Sequence, residues 1–540
     1  MSNEHIPTKK ADEHVTHSRS DSDATTLAAN YSPKEYDDEA NFAWEDKPSS
    51  LQYEMEELLE SGGSSPVLKQ ETDSDAEDLE DPISEGARDT TWQAELKTML
   101  RTAPPLVATF LLQYSLTMTS IFSVGRLGKT ALAASTLAST TANITGFAIY
   151  SGLCTGLDTL AAQAYGSGNL PLVGLQMQRM ALFLMLVTIP MACIWFNAGA
   201  ILSAIVPDAE VAALAGQYLS ILVLGAPGYA IFESGKRFLQ AQGIFVASTA
   251  CLCFTAPLNI LLHYLFIFRF DLGFLGAPAA VVIANWTLPA GLLVYVLVLD
   301  RSALRCWGGL SKAAFTGWRP MISLSVPGVV NVLAEWSAFE LMTLSSSWLS
   351  TSHLAAQAVV LSLISAAFSI PFAVSISMST RVANLVGAGR PSAVRVACKV
   401  SLACGVLFAA ADALVLLLGR EKLPRLMTGE ADVVALAVGV MPVVAFLHIL
   451  DSASANSGGL LRGLGMQHIS GYSTLIGFYV IGLPISFMAA FWWKWGLLGL
   501  WSGLGIGLAT ATGIQAWYIF HADLMEAVKA AKKRNMVSDL

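Results

Sequence analysis

The chain has 540 residues, 54% of them hydrophobic, and a mean hydropathy of +0.54. This composition excludes an ordinary soluble protein of the same length. The net charge of −9 combines two opposite parts, because residues 1–96 carry −18 and the remaining residues carry +9. An acidic tail and a basic body are typical of a polytopic membrane protein with Lys and Arg in its cytoplasmic loops.

Residues 1–96 are rich in Ser, Asp, Glu and Gly, a composition that predicts a disordered cytoplasmic tail and not a cleaved signal peptide. The stretch "EMEELL", Glu54–Leu59, fits the spacing of an acidic dileucine sorting signal, although such short motifs often match by chance. We therefore expect the tail to direct the location of the protein rather than the activity of its body.

From Thr102 onward, apolar runs of about 20 residues recur, and each is long enough to cross about 30 Å of hydrocarbon. They predict an all-α polytopic membrane protein with twelve transmembrane helices, near residues 103–124, 131–155, 174–197, 211–232, 243–267, 274–299, 320–345, 354–378, 396–418, 433–456, 470–492 and 496–520. Twelve basic residues fall in the even-numbered loops, among them Arg179, Lys236 and Arg462, against seven in the odd-numbered loops. This imbalance predicts that both termini are cytoplasmic.

The second half of these runs repeats the first at offsets of 221 to 225 residues. "AQAYGSGN" from Ala162 matches "ANLVGAGR" from Ala383, and Arg237-x-Leu-x-x-Gln matches the same pattern at Arg462. Because each repeat holds an even number of helices, both halves enter the membrane from one side, and a substrate site is expected in or between them near the midplane. The predicted organisation is a tail, two six-helix lobes and a basic cytoplasmic C-terminal segment: residues 1–96, 97–305, 306–521 and 522–540.

Two carboxylates lie deep in the C-terminal lobe, Glu335 midway along the seventh run and Asp451 in the tenth. An acid at a helix centre costs about 2.5–3.5 kcal/mol on insertion scales, so such residues usually face a cavity and carry function. The first run, residues 102–125, holds no acid, and Gln113 stands where the repeat places Glu335. The sequence therefore predicts buried negative charge in one lobe only.

Three polar residues share the helices of these acids. Asn331 precedes Glu335 by four residues and so lies on the same helix face. His448 precedes Asp451 by three residues, and it could share or relay a proton with this acid or simply line the cavity. Glu340 lies about 140° around the helix from Glu335, which favours an inter-helix hydrogen bond over a direct contact with substrate.

The remaining candidates suggest support rather than chemistry. Asp158 and Glu233 lie near predicted cytoplasmic helix ends, close to Lys236, which favours a structural or gating role. Asp412 in the ninth run has no assigned role beyond facing a neighbouring helix. The seven cysteines lack the spacing of a disulfide framework or a zinc site, and no nucleophile–base or phosphate-binding pattern occurs. We expect no metal, no cofactor, no nucleic-acid partner and no enzymatic activity.

Five stretches resemble the multidrug and toxic compound extrusion (MATE) family, in its eukaryotic branch, over nearly all of residues 100–520. "AQAYGSGN" ends a stretch similar to the family's second-helix motif, "APLNILLHY" is similar to its fifth helix, and "LAEWSAFE" to its acidic seventh helix. "STRVANLVGAGRP" and "SGGLLRGLGMQ" resemble its Gly/Arg loops after the eighth and tenth helices. The resemblance implies that Glu335 and Asp451 bind the substrate cation and the coupling proton. Its structural or gating motif positions here are Asp158, Gln163, Gly166, Arg237, Gly387, Gly389 and Arg462.

The buried acids and the resemblance predict a secondary antiporter that exports an organic cation, a xenobiotic or a metabolite in exchange for protons, with sodium as an open alternative. We expect a monomer in the lipid bilayer of a plasma or vacuolar-type membrane. The main alternative is a flippase of a related fold for lipid-linked substrates, whose anionic headgroups would require Arg or Lys in the cavity, whereas the bases here fall in loops. A major-facilitator carrier would show an Asp/Arg-rich loop where this chain has "AYGSGNLPL", and a membrane scaffold would need no deep acids.

Overall fold

Helices follow one another at the predicted runs throughout residues 90–206 and 208–538, which the computed structural model describes. In chain order the long helices are α1 Trp92–Gly125, α2 (residues 129–166), α3 Leu170–Phe196, α4 Ala209–Ala241, α5 Val246–Arg269, α6 Gly273–Leu299, α7 Arg319–Ser347, α8 Thr351–Gly387, α9 Pro391–Leu418, α10 Ala431–Leu464, α11 Gln467–Trp492, α12 Leu497–His521 and α13 Leu524–Ser538. Of α1–α12, all except α2 are long and apolar enough to cross a membrane, and α2 occupies the second predicted run. No strand occurs within the described ranges, so the predicted all-α class is confirmed. The predicted disorder of residues 1–89 and the "EMEELL" signal lie outside the described residues.

The predicted repeat is visible in the backbone of the two lobes, α1–α6 and α7–α12. Residues with a left-handed backbone recur at offsets of 221 to 223, as the pairs Gly168 and Gly389, Gly243 and Gly465, Asp271 and Lys494, and Gly273 and Gly496. The π-helical ends of α5 and α11, Leu265–Arg269 and Met488–Trp492, are related by the same offset. Equivalent sequence positions therefore adopt equivalent turns, as a duplicated six-helix unit requires.

The lobes meet along equivalent pairs of helices, α1 against α8 and α7 against α2. At the end of the bundle where α1 begins and α12 ends, here called the terminal face, α2 and α8 cross with their backbones in contact. A methyl group added to Gly166 would overlap the backbone of Asn384, and one added to Gly387 would overlap the backbone of Gln163. Because the 221-residue offset exchanges these two contacts, the crossing lies on the pseudo-twofold axis of the molecule.

Helix α1 begins earlier than predicted, so residues 92–96, which the sequence assigned to the tail, are helical. Thr91 caps the helix by accepting a hydrogen bond from a backbone amide in its first turn. Glu95 is fully buried and forms a two-pronged ion pair with Arg381 of α8, with Nη2–Oε1 at 2.8 Å and Nε–Oε2 at 3.0 Å. This charge-assisted pair accounts for the helical extension, which the polar composition of the stretch concealed.

Several bases predicted in loops lie within helices instead. Arg179 of α3 is 1% exposed, Lys236 and Arg237 of α4 are also buried, and Arg462 of α10 is half-buried. Arg179 Nε donates to the Ala313 carbonyl at 3.3 Å and so holds the α6–α7 connection against α3. The prediction was wrong because these helices have 27 to 34 residues. A span needs only about 20, so their ends extend into the region assigned to loops.

The C-terminal segment, predicted only as basic, forms an amphipathic helix. Asp523 caps α13 by accepting hydrogen bonds from the amides of Met525 and Glu526 at 2.8 and 3.3 Å. Its buried apolar side chains, which pack against α8 and α9, are Leu524, Ala527, Val528 and Ala531. Helix α13 therefore belongs to the packed body rather than trailing from it.

Candidate functional site

Helix α7 carries Glu335 and packs against α2 with almost no space between the two backbones. Gly328 of α7 faces Thr155, and Gly152 of α2 faces Val329; a methyl group at either glycine would overlap its neighbour. This close approach fixes the position of α7 relative to the other lobe. Glu335 itself is partly exposed on this helix.

Asn331 anchors the same face of α7 to α11. Its amide oxygen accepts hydrogen bonds from Ser470 Oγ at 3.0 Å and from Thr474 Oγ1 at 2.7 Å. Because Asn331 and Glu335 are one turn apart on one face, these bonds hold the orientation of the glutamate. The oxygen of Asn331 is thus occupied by α11, which suits a positioning role better than direct contact with a ligand.

Glu335 of α7 lies within electrostatic range of two charged residues of α10. Asp451 is 7% exposed and interacts electrostatically with Glu335, and Glu335 interacts in the same way with Arg462. Residues 451 and 462 lie eleven positions apart, about three turns, and so share one side of α10. Two carboxylates and one guanidinium carry a net charge of −1 when all three are ionised.

His448 has a different acidic neighbour from the one that the sequence suggested. Its Nε2 lies 3.8 Å from Oδ2 of Asp412 on α9. The imidazole is buried, and Ser452 Oγ donates to the His448 carbonyl at 2.7 Å. Asp412, for which sequence reasoning found no role, therefore lies beside the histidine that precedes Asp451 by one turn.

Glu340 does not join this group. Its side chain is exposed on α7, and it takes part in no hydrogen bond with the rest of the described chain. The predicted inter-helix hydrogen bond is therefore not formed within the described part of the chain.

A second charged cluster lies in the N-terminal lobe towards the terminal face. Arg237 of α4 places Nη1 2.7 Å from Glu233 Oε2 and Nε 3.0 Å from Asp158 Oδ1 of α2. Lys236 Nζ lies 2.6 Å from Glu233 Oε1. All four side chains are buried, and two acids balance two bases. This cluster joins α2 to α4 and offers no excess charge to a ligand.

Arg462 matches Arg237 in the repeated Arg-x-Leu-x-x-Gln pattern, but it lacks the local acids. Ser379 stands 221 residues after Asp158, and the residue one turn before Arg462 is Gly458 instead of an acid. The charge of Arg462 is therefore not neutralised within its own motif. It acts instead on Glu335 of the acidic site and on the N-terminal aspartate across the seam.

Hydrogen bonds across the seam close the terminal face. Thr159 Oγ1 donates to the Arg462 carbonyl at 2.7 Å, and Gln163 Nε2 donates to the Gly463 carbonyl at 3.1 Å. The buried Glu95–Arg381 ion pair joins α1 to α8 at the same end. These polar groups thus hold the lobes together at the terminal face.

Helix α13 adds a further connection that sequence reasoning missed. Its apolar face packs on the C-terminal lobe, while Arg534 Nη2 donates to Gln163 Oε1 of α2 at 2.9 Å. Asn535 Nδ2 donates to Ser167 Oγ at 3.1 Å. The turn under α13 contains Gly389, whose φ of +73° favours glycine. The spacing of apolar residues from Leu524 onward could have predicted this amphipathic helix from the sequence.

A sequence model of the MatE family matches residues 105–265 and again residues 327–488, which together cover more than half of the chain. An uncharacterized transporter of Schizosaccharomyces pombe is 38% identical over 84% of each chain. Multidrug and toxin extrusion protein 1 of Homo sapiens is 33% identical over 76% of this chain and 72% of its own length. The crystal structure of the eukaryotic MATE transporter AtDTX14 is similar with a TM-score of 0.78 and 28% identity, over 82% of this chain and 99% of that chain. The chain therefore belongs to the MATE family of multidrug and toxin extrusion transporters, in its eukaryotic branch.

Proposed function

We propose that this transporter is a secondary antiporter that exports organic cations, either xenobiotics or metabolites, in exchange for protons. The proposal rests on Glu335 of α7 and Asp451 of α10, two acids within electrostatic range of each other inside one lobe. The equivalent helix of the other lobe has Gln113 in place of the glutamate. A single acidic site is enough for exchange if proton and cation compete for it.

Competition follows from the charges at the site. With both carboxylates ionised and Arg462 charged, the group carries −1 and attracts a monovalent cation strongly, because the surroundings have a low dielectric constant. Binding of one proton brings the group to zero and removes that attraction. A cation and a proton therefore exclude one another, and this exclusion couples their opposite movements.

Alternating access would come from the lobes separating at the seam. The hydrogen bonds at the terminal face hold one side closed, so release to the other side needs no rearrangement of that face. We place the terminal face, with both termini, in the cytoplasm of a plasma or vacuolar-type membrane, and we propose a monomer as the working unit, since each chain contains both lobes.

The test is efflux of a cationic dye, ethidium, from proteoliposomes with an imposed pH gradient and, separately, an imposed sodium gradient. We expect the pH gradient to drive transport. Glu335→Gln and Asp451→Asn should each lower the rate at least about 100-fold, since each fixes one acid in its neutral form. Asp432→Asn, an exposed acid on the first turn of α10, is the matched control. Equal rates for Glu335→Gln and the control would exclude the proposed site.

The half-buried Arg462 favours a flippase as the second candidate, since a guanidinium near the site could contact an anionic headgroup. Arg462 lies within α10 and not in a loop, so the absence of bases from the helices is no longer an argument against a flippase. Scrambling of a fluorescent anionic phospholipid, measured in the same proteoliposomes without any gradient, separates the two functions. Lipid movement with no dye efflux would favour the flippase.

A further inference from the structure

The α6–α7 connection, taken here as residues 300–319 to include the first residue of α7, has exposed side chains that the exchange scheme does not use. It contains two short 3₁₀ helices, Arg301–Cys306 and Lys312–Phe315. Because six membrane-length helices separate it from the start of α1, it lies at the terminal face. It packs there against the first turns of α3, where a methyl group added to Gly174 would overlap the Cys306 carbonyl.

Helix α3 also holds the backbone of this connection by hydrogen bonds. The buried Gln178 donates from Nε2 to the Gly309 carbonyl at 2.8 Å, and its Oε1 accepts from the Ser311 amide at 3.1 Å. Arg179 donates to the Ala313 carbonyl two residues further on. Since three backbone groups of the connection are bound to α3, its exposed side chains keep a fixed position at the terminal face.

The side chains that this attachment leaves exposed are basic and apolar. The exposed bases are Arg301, Arg305, Lys312 and Arg319. Among the described residues, none of these four takes part in an ion pair. The one acid of residues 300–319 is Asp300, which accepts a hydrogen bond from the Ser302 amide at 3.1 Å. Leu310 and Phe315 alternate with the bases and are 90% and 69% exposed, so the connection combines a net charge of +3 with unpacked apolar side chains.

The start of the connection lies at the surface of the bilayer. It follows directly after Val298 and Leu299, which are 70% and 71% exposed at the end of the apolar helix α6 and therefore face lipid. Exposed apolar side chains are unfavourable in water. The interfacial region of a bilayer accommodates Leu and Phe among the lipids and Lys and Arg among the headgroups. A bilayer surface thus satisfies both kinds of side chain, whereas a soluble anion would satisfy only the bases.

We propose that the α6–α7 connection is an interfacial binding surface for anionic phospholipids on the terminal-face side of the membrane. Leu310 and Phe315 insert among the lipids, and Arg305 and Lys312 bind the anionic headgroups. The positive charge of the connection favours anionic over zwitterionic lipids. The proposal is independent of the coupling ion and of the exported substrate, because none of these residues belongs to the exchange site.

The connection between α9 and α10, on the opposite face of the bundle, supplies the contrast. Residues 420–432 include the exposed Leu426, but their three bases are balanced by three acids. This segment therefore has apolar exposure without excess positive charge, and it is not expected to select anionic lipids. Its exposed Lys422 and Arg425 provide a matched control for substitutions in the α6–α7 connection.

Site-specific fluorescence quenching in nanodiscs tests the proposal. A bimane label is attached at the exposed position of Ala313→Cys, in the full chain without other reactive cysteines. The bilayer contains a small fraction of phosphatidylserine or of phosphatidylcholine with a nitroxide on the acyl chain. We expect quenching to show about fivefold enrichment of the serine lipid at the label, since one base near an anionic surface contributes a factor of about five. Salt at about 1 M should remove the enrichment, because it screens exposed charges.

The double substitution Arg305→Gln with Lys312→Gln should reduce the enrichment to less than about twofold. Lys422→Gln with Arg425→Gln lowers the net charge by the same amount at the opposite face and should keep the enrichment of the parent. Equal quenching by the two lipids in the parent would overturn the proposal. Full enrichment in Arg305→Gln with Lys312→Gln would overturn it as well.

A second variant separates a membrane surface from a site for a soluble partner. Leu310→Ala with Phe315→Ala should lower quenching by both lipids at least about twofold, because the connection would no longer insert among them. If quenching in this variant equals that of the parent while the basic variant loses the enrichment, the bases serve a soluble anion or an acidic protein segment. That outcome would overturn the assignment of the surface to the membrane.

Discussion

Helix α13 makes a testable contribution to the closed terminal face, because it is attached to the two lobes in different ways. Its contact with the C-terminal lobe is apolar and continuous, whereas its contact with α2 consists of hydrogen bonds from Arg534 and Asn535. When the lobes separate at this face, the polar contacts are the ones that must break. We therefore expect the double substitution Arg534→Ala with Asn535→Ala to favour the open state.

The magnitude follows from the two shorter bonds, since the third, from Asn535 Nδ2 to the Gln163 carbonyl, is long at 3.5 Å. A hydrogen bond from a charged donor contributes about 1.5–3 kcal/mol when buried, and the half-buried position of Arg534 reduces this to about 1 kcal/mol. The bond from Asn535 to Ser167 is at the surface and adds about 0.5 kcal/mol. The sum of about 1.5 kcal/mol corresponds to a roughly tenfold decrease in the ratio of closed to open molecules.

Distances between two spin labels, measured by double electron–electron resonance, would report the ratio of closed to open molecules. Val246 on α5 and His468 on α11 are exposed at the terminal face, one in each lobe, and occupy equivalent positions of the repeat. The labels should be introduced in a background without reactive cysteines, at a pH where the parent populates both distances. Lys533→Ala removes a neighbouring exposed charge from α13 and is the matched control.

The same ratio of short to long distances in the double variant and in Lys533→Ala, within about twofold, would refute the proposed contribution of α13. A twofold change corresponds to less than about 0.5 kcal/mol. Removal of the whole of α13 is a less informative experiment, because it also exposes the apolar face that packs on α8 and α9. The double substitution keeps that face, so a loss of folding is not expected.

Two further outcomes follow from the packing. Glu340→Gln should retain ethidium transport within about twofold of the parent, because the side chain is exposed and contacts none of the site residues. A loss comparable to that of Glu335→Gln would show that Glu340 belongs to the exchange site. Gly166→Ala and Gly387→Ala should each destabilise the protein by about 1–3 kcal/mol in thermal unfolding, since each added methyl group meets backbone that cannot move aside. Gly513→Ala in α12 is the control, because its methyl group meets no atom within 4 Å. Unequal losses for the first two variants would argue against a symmetric crossing of α2 and α8.

Periodicity and repetition in the sequence were sufficient to predict the helices, their number and the duplication, because apolar runs of membrane length have few alternatives. They also singled out Glu335 and Asp451, since isolated acids in apolar runs are conspicuous. The partners of the buried charged residues could not be predicted from the sequence in the same way. The partner of Glu95 lies 286 residues away, and that of His448 lies on another helix, so both depend on how the helices pack rather than on spacing along one helix.

The asymmetry of charge between the two repeats leads to a last prediction. In the N-terminal lobe, Arg237 is neutralised by Asp158, whereas the repeat gives Arg462 the uncharged Ser379 at that place. Ser379 is 1% exposed, its hydroxyl has no partner in the described chain, and its carbonyl lies beside Gly463, next to the arginine. Ser379→Asp would place a carboxylate on α8 beside the turn that carries Arg462 and should draw the guanidinium away from Glu335.

The acidic site would then be less neutralised and should hold a cation more tightly. We expect ethidium to bind the detergent-solubilised Ser379→Asp variant about tenfold more tightly than the parent, equivalent to about 1.4 kcal/mol, while its release and the transport rate fall. Ser379→Asn is the matched control, because it has the same shape without the charge and should leave the affinity close to that of the parent. Tighter binding by both variants would point to a steric effect. Unchanged binding by a folded Ser379→Asp would mean that Arg462 does not set the charge of the exchange site, and that the acids of α7 and α10 act without it.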